Sequence, residues 1–162
     1  MKCYVNIPEE KIRLLKRKKW IERIKSFLKV EIKTNDQVEI EGDSLDVLKA
    51  REIIKAIGRG FNLEDALNLL DDDYRLEIIE ISPFAGKSRS RKIELKGRVI
   101  GREGKMKKII ENFTNTKIAV YGKTVSIIGR WDSVLIARKA IQMLLEGAMH
   151  QTVYRFLEEN RV

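Results

Sequence analysis

Two stretches of this chain repeat one another. Residues 42–60, GDSLDVLKAREIIKAIGRG, and residues 129–147, GRWDSVLIARKAIQMLLEG, align at an offset of 87. Gly42 falls on Gly129, Val47 on Val134, Ala50-Arg51 on Ala137-Arg138, Ile54 on Ile141 and Gly60 on Gly147. A repeat constrains the architecture more than any single segment, because both copies must build the same supersecondary unit. Each copy has a short strand-like run (38–40 and 125–128), then a glycine, then an amphipathic helix. In the second, Val134, Ala137, Ile141, Leu144 and Leu145 recur at three- and four-residue steps and mark one apolar face. Upstream, 30–32 and 118–120 alternate and are rich in β-branched residues, so both read as strands. Basic helical segments precede them at 19–28 and 104–113. Before each of those come another short helix and a strand, at 3–6 and 76–81.

The order β-α-α-β-β-α is therefore predicted twice, in an α+β chain of two domains, 1–72 and 73–162, with extra helical material at 63–70 and 148–160. Each copy has about 75 residues, a size at which extra burial is welcome, so the helix at 148–160 is expected to pack between the domains rather than to present a surface to a partner. Asp71, Asp72 and Asp73 lie at the join. Adjacent carboxylates on one turn do not converge on an ion without a second contributing segment, so the triplet reads as a solvated turn and no metal site is expected.

Charge narrows the function. Lys and Arg number 33 against 24 Asp and Glu, a net charge of +9 over 162 residues. Such a surplus suits a polyanionic partner, since each neutralised phosphate releases a condensed counterion; it also serves solubility. Its distribution is more specific. Between Lys87 and Lys108 stand ten basic residues and two acidic ones, Glu94 and Glu103.

Within that segment, Val99-Ile100 closes one helix, Gly101-Arg102-Glu103-Gly104 makes a tight turn, and Met106, Ile109, Ile110 and Phe113 mark the inner face of the next helix. Glycine at both ends of the turn tolerates positive φ and lets backbone N–H groups approach a ligand without a Cβ in the way. Those groups lie at a helix start, whose unpaired donors and positive dipole end favour phosphate. Lys105, Lys107 and Lys108 sit at the wrong helix end for cations on dipole grounds, and a bound polyanion explains their placement better than solubility does.

A lone GxxG is a weak motif. Placed between two helices, followed by this apolar spacing, a strand and a repeat, it becomes a specific one. The segment resembles the KH domain of type I, whose signature is a Val/Ile-Ile-Gly-x-x-Gly turn followed by isoleucines. The resemblance implies two tandem type I KH domains, each a three-stranded sheet packed on helices, and an RNA-binding role in which the loop clamps about four nucleotides of single strand. By position, Gly101, Arg102, Glu103, Gly104 and Lys105 are implied to hold phosphate. Met106, Ile109, Ile118 and Val120 are implied to floor or edge the base groove, against the competing reading of plain core packing. Arg98, Ile100 and Lys108 complete the expected RNA-binding set.

The first copy carries Lys16-Arg17-Lys18-Lys19 where the second has its glycine turn. Four long side chains forbid the same close approach, yet residues 11–33 hold ten basic groups against Glu22 and Glu31. This copy is expected to be a scaffold or a weak, sequence-blind phosphate contact. Trp20 could stack on a base or pack into the core; Trp131 is expected to pack.

The strings ENFTNTKIAV at 111–120 and GRWDSVLIARKAIQMLLEGAMHQTVYRFLE at 129–158 narrow the resemblance further. They are similar to the archaeal relatives of the eukaryotic ribosome-assembly KH protein called partner of NOB one. The similarity implies binding near the 3′ region of small-subunit ribosomal RNA during maturation. It also implies contact with an rRNA-processing endonuclease and with a translation initiation factor 2 subunit. A single-stranded DNA-binding or transcription-linked regulator on the same fold is the alternative.

No catalytic residues and no cofactor are expected. The lone Cys3 allows no internal disulfide and reads as a core thiol, and the lone His150 reads as a partly exposed surface residue. No apolar run reaches a membrane-spanning length and none resembles an export signal, so a cytoplasmic protein without a membrane partner is expected.

Overall fold

In the computed structural model, which describes residues 1–161, each half of the chain runs strand, helix, helix, strand, strand, helix. The chain divides into two compact units, the first ending at Asp71 and the second beginning at Asp72.

In the first unit, β1 (Lys2–Val5) leads into α1 (Glu9–Arg17) and α2 (Trp20–Phe27), followed by β2 (Val30–Thr34), β3 (Val38–Gly42) and α3 (Ser44–Gly58). Helix α1 starts after Pro8, with Glu9 and Glu10 in its first turn and Lys16 and Arg17 in its last, charges that complement the helix dipole at both ends. The sheet is antiparallel in the order β1-β3-β2, with Ile40 of the central strand paired to both Cys3 and Ile32. Val5, Ile24, Val38, Ile40, Val47, Ile54 and Ile57 are buried. Each such side chain contributes about 1.5–3 kcal/mol when removed from water. Cys3, expected in the core, is only half-buried. The helical tail at 63–70 is one α-turn, α4 (Leu63–Ala66), capped by the Asn62 side chain and running directly into a 3-10 turn at Leu67–Leu70.

The second unit consists of β4 (Tyr74–Glu80), a single turn α5 (Ser82–Ala85), α6 (Arg89–Ile100), α7 (Lys105–Thr114), β5 (Lys117–Tyr121), β6 (Thr124–Arg130), α8 (Trp131–Leu145) and α9 (His150–Glu159). Its sheet is antiparallel in the order β4-β6-β5, so β5 is an edge strand. One apolar cluster joins Ile79 and Ile81, Leu95 and Val99 of α6, Met106 and Ile110 of α7, Ile118, Val125 and Ile127 of the sheet, and Val134, Ala137 and Ile141 of α8. Val153 and Leu157 belong to the same cluster. Helix α9 thus completes the core of its own unit.

The repeat persists at atomic detail. A Cβ on Gly42 would lie 2.4 Å from the carbonyl oxygen of Lys29, the residue before β2, and one on Gly129 would lie 2.7 Å from Cγ2 of Thr116, the residue before β5. In both sheets the central strand ends where it crosses the entry to the edge strand. The long helices also end alike. Gly60 N–H donates to Ile57 O and Phe61 N–H to Ala56 O, while Gly147 N–H donates to Leu144 O and Ala148 N–H to Met143 O. This is one Schellman ending, written twice.

Asp71, Asp72 and Asp73 are exposed on the turn before β4, where the Asp73 carboxylate lies 3.6 Å from Arg130. Among the described residues no group of His, Cys, Asp and Glu is placed to hold a metal ion, and no helix is long and apolar enough to cross a membrane.

Candidate nucleic-acid interface

Helix α6 ends at Ile100 with a last hydrogen bond from Gly101 N–H to Gly97 O, 2.8 Å. Gly101 has φ 75° and ψ 174°, a conformation nearly confined to glycine. A Cβ there would stand 2.5 Å from Met106 Cβ and 2.6 Å from Met106 N. Gly101 therefore seats its backbone directly on the first turn of α7.

The chain then makes one 3-10 turn at Arg102–Gly104. Gly104 N–H donates to Gly101 O at 3.2 Å, and Lys105 N–H to Arg102 O. Glu103 (φ 56°) and Gly104 (φ 76°) are both left-handed, and holding a non-glycine residue there costs about 1–2 kcal/mol. No side chain caps α7. A Cβ on Gly104 would meet nothing within 4 Å, so the space above the turn is open. The first N–H groups of α7 have no intrahelical acceptor and carry the positive end of its dipole. Arg102, Glu103, Lys105 and Lys108 are exposed around them and Lys107 is partly so. Gly104 N–H and Lys105 N–H are spent within the turn, and the amides beside them lie at the positive helix end in a basic surround, chemically suited to phosphate.

The apolar residues named from the sequence divide into two groups. Met106, at 1% exposure, and Ile118, at 3%, lie inside the core cluster. Ile109 and Val120 are half-buried and rest on it, as part of the exposed wall between α7 and β5; Ile100 is also half-buried.

Arg98 is placed differently from the loop residues. Its Nε donates to Leu144 O at 2.9 Å and its terminal nitrogen to Ala148 O, so the guanidinium caps the C-terminus of α8. Its acceptors lie 46 and 50 residues away, which is why the local pattern places it in the RNA-binding set instead. Arg98→Met is expected to lower the stability of the second unit by about 2 kcal/mol, the worth of charge-assisted bonds to carbonyls at a helix end. Denaturant unfolding checks this.

Glu111, on α7, is bonded to the edge strand. Glu111 Oε2 accepts a hydrogen bond from Ile118 N–H at 2.8 Å. That donor points away from β6, toward α7. Outward-facing groups recur at every second residue of an edge strand, so Val120 also turns its N–H and C=O outward. The spacing of Glu111 from Ile118 carries no local periodicity, and nothing in the sequence marks the pair.

In the first unit, α1 gives way to α2 through Lys18 and Lys19. Lys19 is left-handed at φ 57°, and 16–19 are all exposed. The turn is basic, but long side chains stand where the second unit has open backbone. Trp20 is half-buried. Trp131, expected to pack, is 52% exposed at the start of α8, where its backbone N–H donates to the backbone oxygen of Asp73. His150 is half-buried beside Tyr154, ring centroids 6.5 Å apart.

Comparison with known proteins agrees with this geometry. The family model of the second KH domain of PNO1, a eukaryotic-type KH domain (KH-domain type I), matches residues 75–162. The KH domain-containing protein MJ0443 of Methanocaldococcus jannaschii is 48% identical over 139 residues, which are 83% of this chain and 61% of that protein. The pre-rRNA-processing protein PNO1 of Saccharomyces cerevisiae is 33% identical over 129 residues, 77% of this chain and 45% of its own length. The chain thus spans about half to three-fifths of these curated relatives. A crystal structure of an a/eIF2alpha-aDim2p-rRNA complex from Pyrococcus horikoshii OT3 superposes with a TM-score of 0.90 at 37% identity, over 99% of this chain and 93% of that one. On the match across its second unit, the chain belongs to the PNO1 family of type I KH-domain proteins.

Proposed function

We propose that this chain is a single-stranded RNA-binding protein of two tandem type I KH domains: a degenerate copy over 1–72 and a copy with an intact clamp over 73–162. It acts without catalysis in the maturation of small-subunit ribosomal RNA, in the cytoplasm. Its RNA target is the 3′ region of that rRNA. Its protein partners are the endonuclease that processes it and a translation initiation factor 2 subunit. The observation that carries the reading is the bend at 101–104, where positive φ at Gly101, Glu103 and Gly104 bares the backbone and the space above Gly104 is open. The Pyrococcus relative crystallised with a/eIF2alpha and rRNA supports the initiation factor subunit and rRNA as partners. Gly101, Arg102, Glu103, Gly104, Lys105 and Lys108 contact the sugar-phosphate strand, while Ile100, Ile109 and Val120 face the bases. Met106 and Ile118 support that wall from the core. Lys16, Arg17, Lys18 and Lys19 add a weaker, sequence-blind attraction.

The test is a titration of an RNA oligomer copying the 3′ end of the small-subunit rRNA, at several salt concentrations. Four clamped phosphates on a single strand give a slope of log K against log salt of about −3. A matched DNA oligomer serves as competitor. Salt-insensitive binding, or a preference for DNA, would overturn the reading.

A further inference from the structure

We infer that Glu111 is a specificity-determining residue of the groove, selecting a base that carries an amino group on its Watson–Crick edge. The inference deepens the RNA-binding reading above and rests on it.

Glu111 lies on α7 and reaches the edge strand. Its Oε2 is fixed by Ile118 N–H at 2.8 Å and stands 3.9 Å from Lys107 Nζ. Its other oxygen, Oε1, accepts no hydrogen bond from the described residues, and the side chain retains 17% exposure. A carboxylate held by one oxygen beside a groove has a fixed direction and a spare acceptor. From Gly104 to Glu111 is seven residues, about 10 Å along a helix, within the reach of a strand of four clamped nucleotides.

The bond to Ile118 also edits the strand's outer edge. Without Glu111, Ile118 N–H would be a donor open to the groove. With it, a carboxylate stands there, and the site changes from donor to acceptor. Cytosine N4, adenine N6 and guanine N2 all carry N–H donors on the Watson–Crick edge. Uracil offers only N3–H between two carbonyl oxygens, both of which a carboxylate repels. The negative charge does not defeat the phosphate clamp, because Lys105, Lys107 and Lys108 occupy the same helix.

The experiment measures the affinity of the intact chain for U-rich eight-nucleotide RNAs in which one position at a time carries A, C or G. At one position the amino-bearing bases are expected to bind about tenfold tighter than uracil. Purine riboside, which is adenine without its amino group, should lose that gain. In Glu111→Gln the amide oxygen can still accept from Ile118 N–H while its NH2 group turns to the groove, so the preference should vanish or shift toward uracil. A purely structural role would lower affinity for every oligomer by the same factor, and that result overturns the inference. So does a wild-type chain that binds all bases equally, a measurement independent of how the variant folds. Failure to bind any oligomer overturns the RNA-binding reading itself, and the inference with it.

Discussion

Alanine at Gly101 is expected to lower the stability of the second unit by about 2–6 kcal/mol. Two independent penalties add. The backbone at φ 75°, ψ 174° lies where L-residues are almost never found, at about 1–3 kcal/mol. The new methyl would also stand 2.5 Å from Met106 Cβ and 2.6 Å from Met106 N, and overpacking of this kind adds about 1–3 kcal/mol. Relief is limited, because Met106 is buried and two of the three atoms the methyl would meet, Met106 N and Cα, are backbone. Gly104→Ala provides the internal control. Its φ of 76° carries a penalty of about 1–2 kcal/mol, but its Cβ meets nothing, so the unit should stay folded. The methyl then stands in the open space above the turn, and RNA affinity should fall while stability drops by no more than that backbone penalty, less than for Gly101→Ala. Chemical denaturation of both variants separates the roles. Equal stability for Gly101→Ala and wild type would mean that the loop is not seated on α7 as described.

The legible part of this fold was what periodicity and repetition encode. The offset of 87 places Gly42 on Gly129 and Gly60 on Gly147 from sequence alone, and these pairs share their steric and hydrogen-bonding roles. The glycine turn was legible because its two glycines break a helical pattern at one point. What periodicity could not supply was coverage. It marks an apolar face without saying whether other parts of the chain cover it, so for Met106 and Ile118 groove floor and core packing are competing readings in the sequence, and both residues lie in the core. For the same reason Trp131 read as packed although half its surface is free. Partners distant in sequence were invisible too. Arg98 caps α8 across 46 and 50 residues, and Glu111 bonds across α7 and β5. Each is decided by tertiary placement, and a basic or acidic residue near a phosphate-binding loop looks the same either way.

Replacing Arg102 and Glu103 together by aspartate should weaken RNA binding about 100-fold or more and leave the fold intact. Both residues are exposed, and neither side chain forms an ion pair or hydrogen bond among the described residues. Aspartate also tolerates the left-handed conformation at position 103 better than most residues. Stability should therefore stay within about 0.5 kcal/mol, and the circular dichroism spectrum should not change. Binding is another matter. Arg102→Asp removes one positive charge and adds a negative one, and two carboxylates on short stems then flank the bare amides. Each like-charge contact at 4 Å costs about 1 kcal/mol in water and about 4 kcal/mol near a protein surface. Glu103→Asp keeps its charge, so the change falls at position 102, where one attraction is lost and one repulsion gained; near a protein surface these together exceed the roughly 2.7 kcal/mol that a 100-fold loss requires. Affinity within a few-fold of wild type would count decisively against a clamp at this bend. Any remaining binding measures the first unit's share. If 16–19 supply a sequence-blind attraction, the residue of affinity should ignore base identity, decline with salt and disappear when those four side chains are replaced by alanine. Charge without open backbone attracts a strand but cannot hold it in register, and the two units of this one chain allow that distinction to be measured directly.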